Sequence, residues 1–354
     1  MNNLVFASRE IGSRLDLVQA AGGNTSVKQE GKIYVKASGF NLCDVSHDKG
    51  FSELSLNSLQ EMLIDLASNS FNYTKKELEQ KGKDILSQAV IADNTARPSI
   101  ETFLHSFGNK YTIHTHPSVV SVYCSANSLF NKLSDIFPGA YLVDYATPGV
   151  ELFLKVYDSV FSQVNDSTPK IIFLKNHGLI VSCDDHSQAI SLTYNIVDTL
   201  SEKLGLDNTQ YKVSSRLIND IYTVFNEDLV VKNIDDKSLV TELSRLANKE
   251  IFAFSPDISV FLGGRVCNSN LQDLRNDLIS YYEHHREIPS IVKIDEAVYV
   301  IGNKYQQLCE KIDVARFYCQ VMSYLVDEDD RSSLSSDEVS YLKNWDSEKF
   351  RKQV

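Results

Sequence analysis

The sequence predicts an α/β protein in two regions. Apolar runs of strand length alternate with amphipathic runs of helix length along the whole chain. Residues 170–175 (KIIFLK) are continuously apolar between two lysines, the pattern of a strand buried on both faces. The pattern changes near residue 205, where Leu206-Asp207-Asn208 opens a polar stretch, and 354 residues are long for one compact domain. The expected division is therefore 1–205 and 206–354.

Composition narrows the classes of function. A formal net charge of -12 argues against nucleic acid or an anionic membrane as the main partner. A phosphorylated small molecule stays open, since it needs only a local cradle of donors. There is no apolar run of about eighteen residues, so no membrane-spanning helix is expected. The start, MNNLVFASRE, lacks the basic-then-apolar order of a secretory signal. The six cysteines are scattered with no C-x-x-C pair, and most lie in apolar contexts, which predicts reduced core thiols and a cytoplasmic protein.

In chain order, residues 2–19 read as an amphipathic helix with Leu4, Ile11, Leu15 and Val18 on one side. Gly22-Gly23-Asn24-Thr25-Ser26 follows. Paired glycines expose backbone and the next three side chains add donors, which suits phosphate oxygens; a plain helix cap leading to a turn has the same composition. Residues 27–28 and 32–36 form a hairpin through Glu30-Gly31, and Ala37-Ser38-Gly39-Phe40 is a second small-residue loop. Residues 56–68 and 75–92 read as helices, 118–125 as a helix, 140–144 as a short strand, and Thr147-Pro148-Gly149 opens a helix to about 163.

Chemistry concentrates in residues 97–117, RPSIETFLHSFGNKYTIHTHP. Tyr111-Thr112-Ile113 favours a strand, so His114 and His116, two apart, point the same way at its end. Two imidazoles on one face are half of a divalent metal site, though the same pair also fits surface decoration or a hydrogen-bonded core. Pro117 stops the strand for want of an amide hydrogen. Glu101 follows Pro98 on a helical segment, and the Gly108-Asn109-Lys110 turn lets it return near the histidines. Strand 170–175 runs into Asn176-His177-Gly178, which places His177 at a strand-to-turn junction as a third ligand or as an ordinary hairpin residue. Asp184-Asp185 caps a helix over 186–204.

Past residue 205, strands are expected at 228–231, 257–262 and 297–301, with a core-facing helix over 303–326. Gly263-Gly264-Arg265 reads as a turn and His284-His285 as a helix end. No G-x-G-x-x-G marks a dehydrogenase, residues 327–333 form an acidic linker, and a last helix carries Trp345 as a docking anchor.

Gly23-Asn24-Thr25-Ser26, Ser38-Gly39, Glu101, His114-Thr115-His116 and Asn176-His177-Gly178 occur in the order of the class II aldolase/adducin family, which over residues 1–205 this chain resembles. The wording GGNTSVK, VKASG and RPSIET is similar to the aldolase part of bifunctional rhamnulose-1-phosphate aldolase/alcohol dehydrogenases. The resemblance implies a three-layer α/β/α sandwich with a central, mainly antiparallel sheet, assembled as a homo-oligomer, usually a tetramer. It implies Zn2+, or another divalent metal, on His114, His116 and His177, with Glu101 as acid/base. Asn24, Thr25, Ser38, Gly39 and Ser99 fall at substrate- or phosphate-binding positions. Ile100 departs from members that carry a second serine there, so one phosphate hydroxyl is missing. Tyr123, Tyr141 and Tyr145 are candidates for the tyrosine proton donor.

The implied reaction is cleavage or formation of a C–C bond in a sugar or sugar phosphate through a metal-stabilised enediolate. An epimerase or decarboxylase on the same metal, or a non-catalytic adducin-like binding protein, are the alternatives. Three histidines with Glu101 argue against the last, because a structural module has no need of them. Lys28, Lys36 and Lys175 read as strand-edge charges, and no Schiff-base lysine is required.

Overall fold

The computed structural model describes residues 1–91, 96–162 and 168–344. The chain forms two compact units, Met1–Asn208 and Thr209–Val354. In the first, the order is α1 (Asn2–Gly12), β1 (Asn24–Gln29), β2 (Lys32–Lys36), β3 (Phe51–Ser55), α2 (Leu56–Asn69), α3 (Lys75–Ala89), α4 (Thr102–Ser106), β4 (Tyr111–Thr115), α5 (Ser118–Ser125), α6 (Asn127–Phe130), α7 (Leu133–Ile136), β5 (Tyr141–Val143), α8 (Val150–Val156), β6 (Lys170–Leu174), β7 (Gly178–Cys183) and α9 (His186–Leu204). The strands make one seven-stranded sheet in the order β3-β2-β1-β4-β7-β6-β5. Every neighbouring pair is antiparallel except β5 with β6.

The central strands are buried on both faces, as their unbroken apolar composition requires. Ile172, Leu174 and Ile180 join side chains of α2, α3, α4 and α8 in one core. Phe173, Leu179 and Val181 point the other way, into a core shared with α1, α5 and α9. The expected α/β/α layering results. Burial of each such side chain stabilises by about 1.5–3 kcal/mol. Glu30 (φ 53°) and Gly31 (φ 73°) make the two-residue turn of the β1–β2 hairpin, whose twist matches the strands it joins.

Helix α1 ends at Gly12, well short of residue 19. A Cβ on Gly12 would lie 2.3 Å from the Cys43 nitrogen, so the chain turns there against the 42–44 segment. The turn is held by buried Arg14, whose Nε and Nη2 donate to Asp16 at 3.0 and 2.6 Å. Asn24-Thr25-Ser26, expected in a loop, opens β1 instead. Strand β3 was not legible as an element: it is a five-residue edge strand running straight into α2.

The second unit contains α10 (Thr209–Phe225), β8 (Val230–Asn233), α11 (Lys237–Ser244), β9 (Cys267–Ser269), α12 (Leu274–His285), β10 (Ile291–Ile294), β11 (Ala297–Gly302), α13 (Tyr305–Tyr324) and α14 (Ser336–Asn344). Its four-stranded sheet has the order β8-β11-β10-β9. Residues 257–262, expected as a strand, form a π-helical turn at Ile258–Leu262 with all five residues buried. A short apolar run enclosed on all sides carries no period that separates strand from helix. Gly263 has φ 77° and the Gly264 amide donates to Glu287 Oε1 at 3.1 Å, a turn as expected. His284 and His285 end α12. Trp345 lies outside the described residues.

Candidate metal centre

Four elements deliver the cluster. His114 lies on the central strand β4, opposite Asn24 of β1 and Ile180 of β7. His116 lies just past the end of β4, and its amide donates to Leu17 O at 2.9 Å. The α1–β1 turn built on Arg14 and Asp16 therefore fixes the backbone of His116. His177 sits in the turn between β6 and β7, where Asn176 takes φ 54°, a conformation Asn tolerates. Glu101 stands at the N-terminal edge of α4, with its amide donating to Ser99 Oγ at 3.3 Å.

The donor atoms converge. His114 Nε2 lies 3.0 Å from His116 Nε2 and 3.3 Å from His177 Nε2. Glu101 Oε1 lies 3.2 Å from His177 Nε2 and 3.6 Å from His114 Nε2. One atom from each of the four residues falls within 4.8 Å of the others. Protons alone cannot satisfy three mutually adjacent imidazole nitrogens, whereas one shared cation can. A tetrahedral ion with Zn–N bonds of about 2.0–2.1 Å sets its nitrogens about 3.3 Å apart, close to the spacing seen. His114 Nδ1 sits 3.0 Å from Leu179 O; donation there selects the tautomer that turns the Nε2 lone pair inward.

Electrostatics suit the same role. Burial first, then the proximity of His114 and His177, pushes His116 down to about 3, which keeps its ring uncharged. Burial opposes ionisation of Glu101, but the adjacent His114 and His177 outweigh it and hold the carboxyl well below its usual range. The Asn24 amide donates to Glu101 Oε2. Glycines admit the rings: a Cβ on Gly178 would lie 2.4 Å from Thr115 O and 2.9 Å from His116 Cδ2, and one on Gly22 would lie 3.1 Å from His116 Nδ1.

The remaining expected site residues separate. Asn24 is buried against Glu101. Thr25 points to the opposite face of β1, where its hydroxyl bonds Ser8 Oγ at 2.6 Å, so its side chain is not presented to a ligand. Strand alternation decides this once Asn24 belongs to a strand. Ser38 and Ser99 line a cavity with Arg97 and Ile100, and exposed Gly39 takes φ 82° beside it in sequence. Tyr123 is buried in the apolar core, while Tyr145 is exposed.

Some contributors were not legible. Lys36 is buried, not an edge charge, and its amine donates to Ala21 O at 2.6 Å and Gly23 O at 3.2 Å, bracing the glycine loop. The Lys28 amine likewise turns inward, to Gly108 O and Asn109 O at 2.5 and 2.7 Å. His105, one helical turn from Glu101, is fully buried with Nδ1 2.8 Å from Ser26 Oγ. The i, i+4 spacing from Glu101 was the available signal for His105.

Fold and donor set together define a class: a three-layer α/β/α domain whose central strands end at a site fitted to a divalent ion. The family model described as Class II Aldolase and Adducin N-terminal domain matches residues 2–203, and the chain belongs to that family. The chain is 26% identical over 226 residues to a Bacillus subtilis (strain 168) protein named "Uncharacterized oxidoreductase YuxG". That match covers 60% of this chain and 31% of the relative, so it spans under a third of the relative's length. Among solved structures, the N-terminal class II aldolase domain of a conserved protein from Thermoplasma acidophilum is 26% identical, with TM-score 0.48, covering 57% of this chain and 92% of that one. The L-fuculose-1-phosphate aldolase from Thermus thermophilus is 16% identical, with TM-score 0.37, covering 58% and 95%.

Proposed function

We propose that the chain is a metal-dependent aldolase that cleaves or forms a C–C bond in a sugar or sugar phosphate. The observation that carries this reading is the convergence of His114, His116, His177 and Glu101 within 4.8 Å, in a domain of this family. The three histidines would hold a divalent ion, zinc by its preference for nitrogen donors in a tetrahedral set. When bound, that ion supplies Lewis acidity to a carbonyl oxygen next to the bond that breaks.

The chain's residues do the rest. Glu101 moves the proton: it protonates the carbon left beside the carbonyl after cleavage, and removes that proton in the condensation direction. The Asn24 amide on Oε2 orients the carboxylate so that Oε1 faces the donor cluster. A positioned acid/base of this kind contributes about 10²- to 10⁴-fold in rate. The protein works as a homo-oligomer, a tetramer by family likeness, in the cytoplasm, where its six free cysteines stay reduced.

The test is the zinc-loaded protein against a panel of ketose 1-phosphates, with release of dihydroxyacetone phosphate as the readout. Release is expected, and Glu101→Gln should keep the metal while turnover falls by about 10²-fold or more. Interconversion of sugars with no fragment released would replace the aldolase with an epimerase. Loss of metal from Glu101→Gln would make Glu101 a ligand, not the base.

A further inference from the structure

We propose that Arg14, whose guanidinium bonds Asp16 and none of the four donors, is a positioning residue of the metal centre: with Asp16 it holds the main chain of His116 and so sets how tightly the ion is bound. This rests on the metal-centre reading given above.

The three histidines are not held alike. The His114 ring is fixed by Nδ1, 3.0 Å from Leu179 O, and its backbone is registered by β1 and β7 on either side. His116 lies past the last residue of β4, beyond the reach of both ladders. Its ring has one hydrogen-bond contact among the described residues, and that is with His114. What places His116 is the turn after α1. Leu17 O accepts the His116 amide at 2.9 Å, and Asp16 O accepts the Ser118 amide at 2.9 Å. Pro117 between them has no amide hydrogen, so the segment from β4 to α5 spends both of its N–H groups on this one turn.

Arg14 organises that turn twice over. Its carbonyl accepts the Leu17 and Val18 amides at 3.0 and 3.1 Å. Its guanidinium forks onto both Asp16 oxygens and lies 4.4 Å from the centre of the Tyr194 ring of α9. The Tyr194 hydroxyl donates to Glu10 Oε1 at 2.9 Å, back on α1. Arg14 is 1% exposed, so this charge is enclosed between the turn and α9. A buried ion pair adds little net stability over apolar groups of its own volume. What a planar fork does supply is a fixed distance and direction, and here it fixes the two carbonyls that carry His116 and Ser118. In a close-packed interior a shift of the turn passes on to what it holds. His116 Nε2 then leaves its place 3.0 Å from His114 Nε2, and the three nitrogens no longer share one centre.

The experiment uses the full-length protein, stripped of metal and titrated with Co2+, whose visible bands report its coordination. Compared are wild type, Arg14→Gln, Arg14→Lys, Asp16→Asn and Leu66→Ala, the last a cavity in the core on the opposite face of the sheet. Hydrogen exchange of the metal-free proteins is followed by mass spectrometry on peptides covering residues 113–119. Arg14→Gln should weaken Co2+ about 10- to 100-fold, the range for losing an outer-shell partner, with shifted bands and faster exchange at His116 and Ser118. Arg14→Lys keeps the charge without the fork and should fall between. Leu66→Ala should melt lower and bind Co2+ as wild type does. A lowered melting temperature in Arg14→Gln, with wild-type affinity, bands and exchange, would make the pair a structural one and overturn the positioning role. If Arg14→Gln does not fold, Arg14→Lys and Asp16→Asn decide by the same readings. Wild type that binds no Co2+ would remove the metal centre itself, and the role of Arg14 with it.

Discussion

His105 ties protonation to folding at the scale of a single side chain. Its ring is completely buried, Nδ1 meets Ser26 Oγ and Nε2 has no partner among the described residues. Burial first, then the neighbouring His114, pushes its pKa down to about 3, with Lys28 adding to the shift and Glu101 opposing it. In the unfolded chain the same imidazole takes a proton near pH 6.5. Between about pH 6.5 and 3 the unfolded state therefore binds more protons, and stability falls as pH falls. The melting temperature of the metal-free protein should drop as pH is lowered from 7 to 5, with a shallower slope in His105→Gln; equal slopes would remove His105 from the cause. A second prediction concerns the ligands. His114→Ala, His116→Ala and His177→Ala should each abolish stoichiometric metal by elemental analysis, since each removes one of three convergent nitrogens. The clustered histidines were legible as candidates because His-x-His on a strand and a histidine at a turn are local patterns. The partner of Glu101 was not, because Asn24 reaches it only across the β1–β4 pairing.

At the scale of elements, the β6–β7 turn carries the most demanding geometry. Gly178 opens β7 where a side chain would strike both the β4 backbone and the His116 ring. Gly178→Ala should destabilise by about 1–3 kcal/mol, the range for overpacking. Because the clash lies on the cage itself, metal affinity should fall as well. Denaturant midpoints compared with and without zinc test this: a variant that matched wild type in both would mean the turn yields freely. Strands β6 and β7 were legible from unbroken apolar composition, and α9 from its Asp185 cap, whose carboxylate accepts the Gln188 amide at 2.8 Å. The π-helical turn at Ile258–Leu262 was not, since full burial erases the pattern that tells strand from helix.

For the whole molecule, all four donors lie in Met1–Asn208, the unit with its own sheet and its own hydrophobic cores. A fragment ending at Asn208 should therefore bind one zinc per chain. The second unit has a core of its own; on the proposal that it shapes the substrate entrance or the oligomer, the fragment's KM for substrate or its assembly state should differ from the full protein's. Sedimentation and steady-state kinetics decide: identical assembly and constants would make the second unit an independent module, and a folded fragment without metal would mean the site needs that unit.

The sequence by itself determined the alternation of strands and helices and the order of the residue types that the donor cluster gathers, because periodicity, turn chemistry and donor identity are local. Only the tertiary structure decided what long-range pairing controls. It turned Thr25 onto Ser8, buried the Lys36 amine against the glycine loop, and set Asn24 across from His114. It also placed Arg97 and Lys83, from separate elements, on one cavity. A side chain's face follows from strand register, and register is fixed by partners far away in the chain.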